Sequence, residues 1–310
     1  MTEESNETKY ILAIDHGTSG MKIAITDTCG EVIAFDFEGT PVYLSEGGGA
    51  EQDPDEWWSA LVKCTRRLVD ANHVPVEDIV AISNSSQWSG TVAVDSNGRH
   101  LMNAIIWMDS RGEPYIKRRL KGIINIQGYG LLNLLKWLRT TAGIPTGSGK
   151  DPIAHILYIQ NEHPEIYEKT HMFLEPKDYL NLRLTGVFAA SYDSIMLHWV
   201  TNTKDINNIH YDNGLIKKLG IDGDKLPPLK RAIDILGTLK PEVANELGLR
   251  EDTKVVLGAP DLHSAIMGSG AVRDYEGHIY IGTSSWVICH LPFKKTHQSS
   301  GCVFGRLKEL

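Results

Sequence analysis

Residues 10–27, YILAIDHGTSGMKIAITD, place two β-rich runs on either side of a glycine-bounded turn. The branched residues of both runs favour strands, and the turn folds them into a hairpin. Gly17 and Gly20 leave room for a group to approach the backbone, and Thr18 and Ser19 between them add N–H groups that can bind an anion. The stretch is therefore a candidate phosphate site, with an ordinary hairpin and a polar turn as the alternative.

Two charged residues flank this turn. Asp15 ends the first run, and although a carboxylate does not hold a phosphate, it can hold the hydrated Mg2+ that accompanies one. Lys22 follows the turn and can add a positive charge, while a lysine on the solvent face of a strand is the simpler interpretation. The combination points towards phosphoryl transfer to a sugar.

A second hairpin is expected near the end of the chain. Residues 278–290, HIYIGTSSWVICH, repeat the order of apolar strand, Gly-Thr-Ser turn and apolar strand. Between the two hairpins, residues 255–270 read VVLGAPDLHSAIMGSG, which predicts a buried strand that ends at Asp261. This order suggests two halves that face one nucleotide. Asp261 can then accept the proton of an acceptor hydroxyl, or it can be the N-cap of a following helix.

These stretches, together with SSQWSG, IIWMDSRG and EPKDYLNLRLTG at residues 85–90, 105–112 and 175–186, resemble the FGGY family of carbohydrate kinases. The resemblance covers nearly the whole chain. It implies an α/β fold of the ribonuclease H-like type found in actin, Hsp70 and hexokinase, with ATP and Mg2+ as cofactors. It also implies an N-terminal sugar-binding domain over residues 1–252 and an incomplete C-terminal nucleotide-binding domain over residues 253–310.

The resemblance assigns roles to residues of this chain. It makes Asp261 the general base and Asp15 the residue that holds Mg2+ through water. The phosphate groups of ATP are then expected to lie between two turns, with Lys22 as a further candidate; these turns contain Gly17, Thr18, Ser19, Gly282, Thr283 and Ser284.

The sugar is expected at the edge of the first domain. An indole beside a carboxylate suits a polyol, because the C–H face of the sugar packs on the ring and its hydroxyls bind the charged group. The candidate residues are Gln87, Trp88, Ser89, Asp109, Arg111 and Asp261 itself. Trp88 is equally suited to a core position.

Three residues at two places in these stretches differ from the xylulokinase-like members of the family. Trp88-Ser89 stands where those sequences typically have Met-His, and Leu262 stands where they typically have Asn. The resemblance makes a ketopentose such as xylulose the first expectation, and these differences keep gluconate, glycerol or another ketose as alternatives. A non-catalytic, truncated actin-like binding protein is the competing class.

Composition limits the partners of the chain. The net charge of −8 argues against nucleic acid, which selects basic surfaces. The four cysteines have no metal-binding spacing, which favours a reducing cytoplasm. No apolar run approaches the ~18 residues of a membrane span, so no membrane partner is expected. A homodimer is an open alternative.

The remaining elements follow from local patterns. A third strand over 32–37 should extend the first hairpin, and Asp53 should cap a helix that begins at Pro54 and leads to a parallel strand over 79–82. Asn97-Gly98 should close a hairpin. Its strands are expected at 91–94 and 104–107, and further helices at 129–142, 153–161, 176–185 and 241–249.

Overall fold

The computed structural model describes residues 8–141, 143–281 and 285–291. The strands are β1 Tyr10–Gly17, β2 Gly20–Asp27, β3 Val32–Gly39, β4 Tyr43–Ser45, β5 Gly49–Gln52, β6 Ile79–Ser86, β7 Val92–Val94, β8 Ala104–Ile105, β9 Asn125–Ile126, β10 Tyr129–Gly130, β11 Met172–Leu174, β12 Ala190–Ser191, β13 Thr201–Asn202, β14 His210–Tyr211, β15 Leu229–Lys230, β16 Ile235–Thr238, β17 Lys254–Val256, β18 Gly277–Ile281 and β19 Ser285–Cys289.

The helices are α1 Pro54–Asp70, α2 Glu113–Leu120, α3 Leu131–Thr141, α4 Pro152–Glu162, α5 Pro164–Lys169, α6 Pro176–Thr185, α7 Asn213–Leu219, α8 Pro241–Leu247 and α9 Asp261–Gly268. Short 3-10 turns lie at Val76–Asp78, Ser194–His198 and Gly223–Lys225. No helix of the described ranges has the length and apolar character that crossing a bilayer requires.

The central sheet has six strands in the order β16-β17-β6-β1-β2-β3. The first three strands form the predicted antiparallel meander, and β6 pairs with β1 in parallel, as predicted from the crossover through α1. The predicted cap of α1 is also confirmed, because the side chain of Asp53 accepts a hydrogen bond from the N–H of Asp55. The predicted strands and helix of this region are therefore correct.

One face of the sheet is packed and the other is open. Alternate side chains such as Leu12 of β1 and Ile23 of β2 are buried with Trp57 and Leu61 of α1 in the main core. On the opposite face the meander carries Asp15, Lys22 and, on β3, the exposed ring of Phe35. The candidate site residues Asp15 and Lys22 therefore lie on the open face.

The predicted hairpin around Asn97-Gly98 is only partly correct. The turn forms, because the N–H of Gly98 donates to the carbonyl of Asp95 at 3.0 Å. Its two arms stay joined by antiparallel bridges, Val94 to His100 and Thr91 to Ile105, but β7 forms its ladder with β11 and β8 forms its ladder with β5. All three residues of β7 are buried, and a partner from a distant part of the chain covers them.

The expected domain boundary between residues 252 and 253 would cut the central sheet. β17 follows that position directly and pairs in parallel with β6, so residues 254–256 are part of the first sheet. Gly258, just after β17, has a φ of +74°, and a Cβ there would lie 1.8 Å from the carbonyl oxygen of Asn84. The close contact of this segment with β6 requires glycine and sets the direction of the chain into α9.

Candidate active site

An open cleft of about 660 Å³ lies on the free face of the sheet. Its walls come from β1, β2, β3 and β6 on one side and from the start of α9 on the other. The polar groups of the lining are Asp15, Lys22, Ser83, Asn84, Ser85 and Ser264. The cleft therefore brings together the first hairpin and the segment around Asp261, which are far apart in the sequence.

Asp15 and Lys22 face each other at the mouth of the first hairpin. The Nζ of Lys22 lies 2.9 Å from the Oδ2 of Asp15, and both side chains are substantially exposed, at 61% and 45%. Lys22 is thus oriented by Asp15 and stays accessible to an anion in the cleft. This pairing leaves one oxygen of Asp15 without a protein donor in the described part of the chain.

Asp261 is the first residue of α9 and does not end a strand, contrary to the sequence expectation. β17 ends at Val256, and the four residues between them include the glycine that lies against Asn84. The alternative role of N-cap is also wrong, because Pro260 occupies that position and the Oδ1 of Asp261 accepts from the next N–H, that of Leu262.

The electrostatic surroundings of Asp261 suit a group that exchanges protons near neutral pH. Burial is the main cause that raises its pKa from 3.8 to about 6, and the negative charge of Asp15 adds to the increase. The N–H of Leu262 and the charge of Lys22 act in the opposite direction. The two carboxylates are therefore close enough to repel each other across the cleft.

The two glycines of the first turn have different roles. A Cβ on Gly17 would make only ordinary contacts, 3.6 Å from the carbonyl oxygen of Gly20, so this side of the turn is open. A Cβ on Gly20 would lie 2.3 Å from the carbonyl oxygen of Glu38 on β3. Gly20 is therefore required by the packing of β2 against β3. The sequence had suggested that both glycines leave room for a ligand, and the structure is consistent with this for Gly17 alone.

Thr18 is held in place from two sides. Its hydroxyl donates to the Oε1 of Gln87 at 3.1 Å, and its carbonyl accepts from the Nε2 of Gln52 at 2.9 Å. Gln87 is only 2% exposed and also donates to Gln52 at 2.6 Å. The structure thus places Gln87 behind the turn, where it orients Thr18, and leaves the adjacent Ser19 exposed.

Trp88 and Ser89 follow β6 and approach α9. The Nε1 of Trp88 donates to the carbonyl of Ser194 at 3.0 Å, and its ring meets the ring of His263 edge-on with centroids 5.0 Å apart. Ser89 is buried with a φ of +68°, and its hydroxyl donates to the carbonyl of Lys150. Trp88 is half-buried, so one part of the indole packs in the protein and another is accessible.

Asp109 and Arg111 form an internal network. Asp109 is fully buried and accepts from the N–H of Ala50 at 2.9 Å and from the Nε of Arg111 at 2.8 Å. Arg111 also donates to Glu51 at 2.6 Å and lies over the ring of Tyr158. Burial opposes the charge of Arg111, but the hydrogen bonds to Asp109 and Glu51 raise its pKa above the usual range.

Trp107 belongs to the site although sequence reasoning gave it no role. It is 43% exposed, and its Nε1 donates to the hydroxyl of Thr18 at 2.9 Å. A Trp two residues before Asp109 was a signal available in the sequence. Its contact with the turn was not, because the two residues are 89 positions apart.

The second predicted hairpin is built from β18 and β19. β18 and β19 form the predicted antiparallel hairpin, with Ile281 paired to Ser285. Gly282, Thr283 and Ser284 lie outside the described residues. Their role stays a prediction.

The donor set of the cleft fits a hydrated Mg2+. This ion prefers oxygen ligands and keeps several waters when a protein binds it through one or two carboxylates. Asp15 supplies an accessible oxygen for such an ion.

Comparison with known proteins decides the family. Residues 10–268 match the FGGY family of carbohydrate kinases, N-terminal domain. The chain belongs to the FGGY family of carbohydrate kinases. The match extends past the expected boundary at residue 252 and includes all of α9.

Relatives of this FGGY chain share about a quarter to a third of its residues. A xylulose kinase of Bacillus subtilis (strain 168) is 32% identical over 286 residues, which are 91% of this chain and 54% of the relative. Solved structures of gluconate kinase and of ligand-bound xylulose kinase, both from Lactobacillus acidophilus, have TM-scores of 0.79 and 0.78 at 26% identity. They cover 91% and 90% of this FGGY chain and 54% of each solved chain.

The predicted fold class is confirmed by these solved structures, which have the actin and hexokinase type of fold. The FGGY chain spans about half the length of the relatives that it matches.

Proposed function

We propose that this chain is the sugar-binding part of an ATP-dependent carbohydrate kinase. The acceptor is a hydroxyl of a ketopentose such as xylulose, with gluconate, glycerol or another ketose as the alternatives. The observation that carries the proposal is Asp261, a half-buried carboxylate at the start of α9 whose pKa is raised and is affected by the charges of both Asp15 and Lys22. A protein that only bound sugar would have no use for a base in this position.

The residues of the cleft divide the chemistry between them. Asp261 takes the proton of the acceptor hydroxyl. The oxygen of that hydroxyl forms a bond to the γ-phosphorus of ATP, and ADP departs. The amine of Lys22 and the backbone of the turn at Gly17 stabilise the phosphate charge. Mg2+ neutralises phosphate charge when it is bound, and Asp15 would hold it through water.

The sugar then contacts the residues that follow β6 and β8. Trp88 and Trp107 are indoles with exposed surface on this edge of the cleft, and each can pack on the C–H face of a polyol. Gln87, Ser89, Asp109 and Arg111 were predicted as direct sugar contacts. We propose that Gln87 instead orients the turn and that Asp109 orients Arg111, because Gln87 and Asp109 are buried and already hydrogen bonded.

The identity of the sugar depends on the positions that differ within the family. This chain has an indole, a buried hydroxyl and an aliphatic group at Trp88, Ser89 and Leu262, where xylulokinase-like members typically have Met, His and Asn. The similarity to both xylulose kinase and gluconate kinase leaves ketopentoses and aldonates as the first substrates to test.

Three further points belong to the proposal. We place the domain boundary after α9, since β17 belongs to the first sheet. Gly282, Thr283 and Ser284 are proposed to bind the phosphates of ATP from the opposite side. A cytoplasmic location rests on the spacing of the cysteines.

A coupled assay of ADP release tests the function on the complete gene product. Pentuloses, polyols and aldonates are screened with Asp261→Asn as the variant and Asp70→Asn, an exposed carboxylate of α1, as the matched control. One sugar should release ADP with the wild type and the control but not with Asp261→Asn. Sugar binding by calorimetry without any ADP release would assign the chain to the non-catalytic class instead.

A further inference from the structure

A short projecting segment, residues 121–130, carries exposed aliphatic side chains. We call it the finger. Ile123 is fully exposed, Ile124 is 64% exposed and Ile126 is 46% exposed. Leu132 and Leu135 on the adjoining α3 add 80% and 43% exposed side chains to the same region. Soluble proteins rarely leave so many aliphatic groups together in water unless the patch has a partner.

The finger is a defined structure. β9 and β10 pair, and the two turn residues between them, Gln127 and Gly128, have φ of +50° and +88°, as a tight hairpin turn requires. The Oδ1 of Asn125 accepts from the N–H of Gly122 at 2.9 Å. The N–H of Leu131 donates to the carbonyl of Ile124 at 2.8 Å, which fixes the finger to α3. The backbone hydrogen bonds therefore fix the finger in a conformation in which its isoleucines are exposed to solvent.

Positive charge surrounds the finger. Residues 114–150 contain seven Lys and Arg residues and no Asp or Glu, in a chain whose net charge is −8. Two lysines of α7 add to this set. Seven cations of this set lie near the finger or on α7, and none of them forms an ion pair with another described residue. They are Arg118, Arg119, Lys121, Lys136, Arg139, Lys217 and Lys218.

These cations come from three helices that lie against each other. A Cβ on Gly220, at the end of α7, would lie 2.9 Å from the guanidinium of Arg119, and one on Gly214 would lie 2.5 Å from the Nζ of Lys136. Burial and the charges of Lys136 and Arg119 lower the pKa of Lys218. The cations thus repel each other, and an anionic surface would relieve that repulsion.

We propose that the finger and the surrounding cations dock on an anionic lipid bilayer, with the isoleucines among the headgroups. Basic residues beside exposed aliphatic groups are the combination that binds proteins to the surface of such membranes. An exposed hairpin needs no matching pocket in a fluid bilayer. A protein partner is less favoured, because the centres of protein interfaces are enriched in aromatic residues and the exposed apolar groups here are isoleucines and leucines.

This inference is independent of the kinase proposal. It also revises the expectation that no membrane is a partner, because that expectation considered only segments long enough to span the bilayer. The surface lies on α2, α3, α7 and the finger, whereas the candidate active site lies on the central sheet and α9. Substitutions in the finger should therefore leave ADP release unchanged, so their effect on membrane binding can be measured separately.

Vesicle flotation with the complete gene product tests the proposal. Vesicles of phosphatidylcholine alone are compared with vesicles of phosphatidylcholine and phosphatidylserine at about three to one, at roughly 0.1 M and 0.5 M salt. Binding should require phosphatidylserine and weaken at the higher salt. Arg118→Gln/Lys121→Gln/Arg139→Gln should lower the partition coefficient by about 10²-fold, since each cation near the surface contributes about 1 kcal/mol.

Ile123→Ser/Ile124→Ser should also abolish flotation while circular dichroism stays unchanged. The matched controls are Ile233→Ser, an aliphatic residue that is 44% exposed elsewhere, and Arg99→Gln/Lys169→Gln/Lys254→Gln, three exposed cations outside this surface. Both controls should float as the wild type does. Absence of flotation with the acidic vesicles would overturn the proposal. A dimer in sedimentation velocity that only the isoleucine variant dissociates, without flotation, would assign the surface to a second copy and overturn it as well.

Discussion

The indole Nε1 of Trp107 donates to the hydroxyl of Thr18 at 2.9 Å and so joins the two edges of the candidate active site. Thr18 belongs to the turn proposed to bind phosphate, and Trp107 precedes the residues proposed to meet the sugar. The same hydroxyl donates to Gln87 at 3.1 Å. The position of the turn is therefore coupled to the sugar side of the cleft through one side chain.

Trp107→Phe removes this donor and keeps an aromatic ring. We expect kcat/KM for the sugar to fall about 5- to 15-fold, the equivalent of one hydrogen bond of ~1–1.5 kcal/mol, with little change in the free energy of unfolding. Trp58→Phe is the matched control, because the Nε1 of Trp58 donates to Glu246 away from the cleft. Equal kcat/KM for both variants and the wild type would show that the contact has no catalytic role.

Asp261→Asn should lower turnover and raise stability at the same time. Loss of a general base costs about 10²- to 10⁴-fold in turnover. The pKa of Asp261 is raised in the folded state, from 3.8 to about 6, so the folded protein binds the proton more tightly than the unfolded chain does. The charged form therefore destabilises the fold, progressively as pH rises between those values and fully above about pH 6.

The variant should accordingly gain about 1–2 kcal/mol in the free energy of unfolding near pH 8 and almost nothing near pH 3, where the wild-type carboxyl is protonated in both the folded and the unfolded protein. Urea denaturation at both pH values measures this. A variant that is less stable at both would indicate that Asp261 has mainly a structural role in α9.

The neighbours of Asp261 should move its titration in opposite directions. The charge of Asp15 raises the pKa of Asp261 and the charge of Lys22 lowers it. Asp15→Asn should therefore shift the acidic limb of the pH profile of kcat/KM to lower pH, and Lys22→Gln should shift it to higher pH. Asp15→Asn should in addition raise the Mg2+ concentration needed for half-maximal rate. Shifts in the same direction for both variants would rule out Asp261 as the titrating group.

Gly258→Ala should be strongly destabilising. A Cβ at this position would lie 1.8 Å from the carbonyl oxygen of Asn84, and the φ of +74° disfavours any side chain. We expect a loss of more than about 3 kcal/mol in the free energy of unfolding, since both the contact and the backbone conformation must change. Gly268→Ala, at the end of α9 with no atom within 4 Å of the new Cβ, is the control and should be neutral or slightly stabilising.

Much of the central sheet follows from local sequence. The alternation of residues in β1 and β2, the glycine-bounded turn and the Asp53-Pro54 start of α1 act between near neighbours in the chain. Such preferences operate whatever the rest of the protein does. The hairpin, the meander, the crossover helix and the parallel strand β6 were therefore predictable from the residues.

Contacts between distant residues depended on the tertiary structure. Trp107 reaches Thr18, β7 pairs with β11, and Gly20 is needed because Glu38 lies against it. The sequence could name Asp261 but not its position at the start of α9, which the contact of Gly258 with Asn84 determines. Each of these depends on how separate segments pack at native density, and no local pattern encodes that packing.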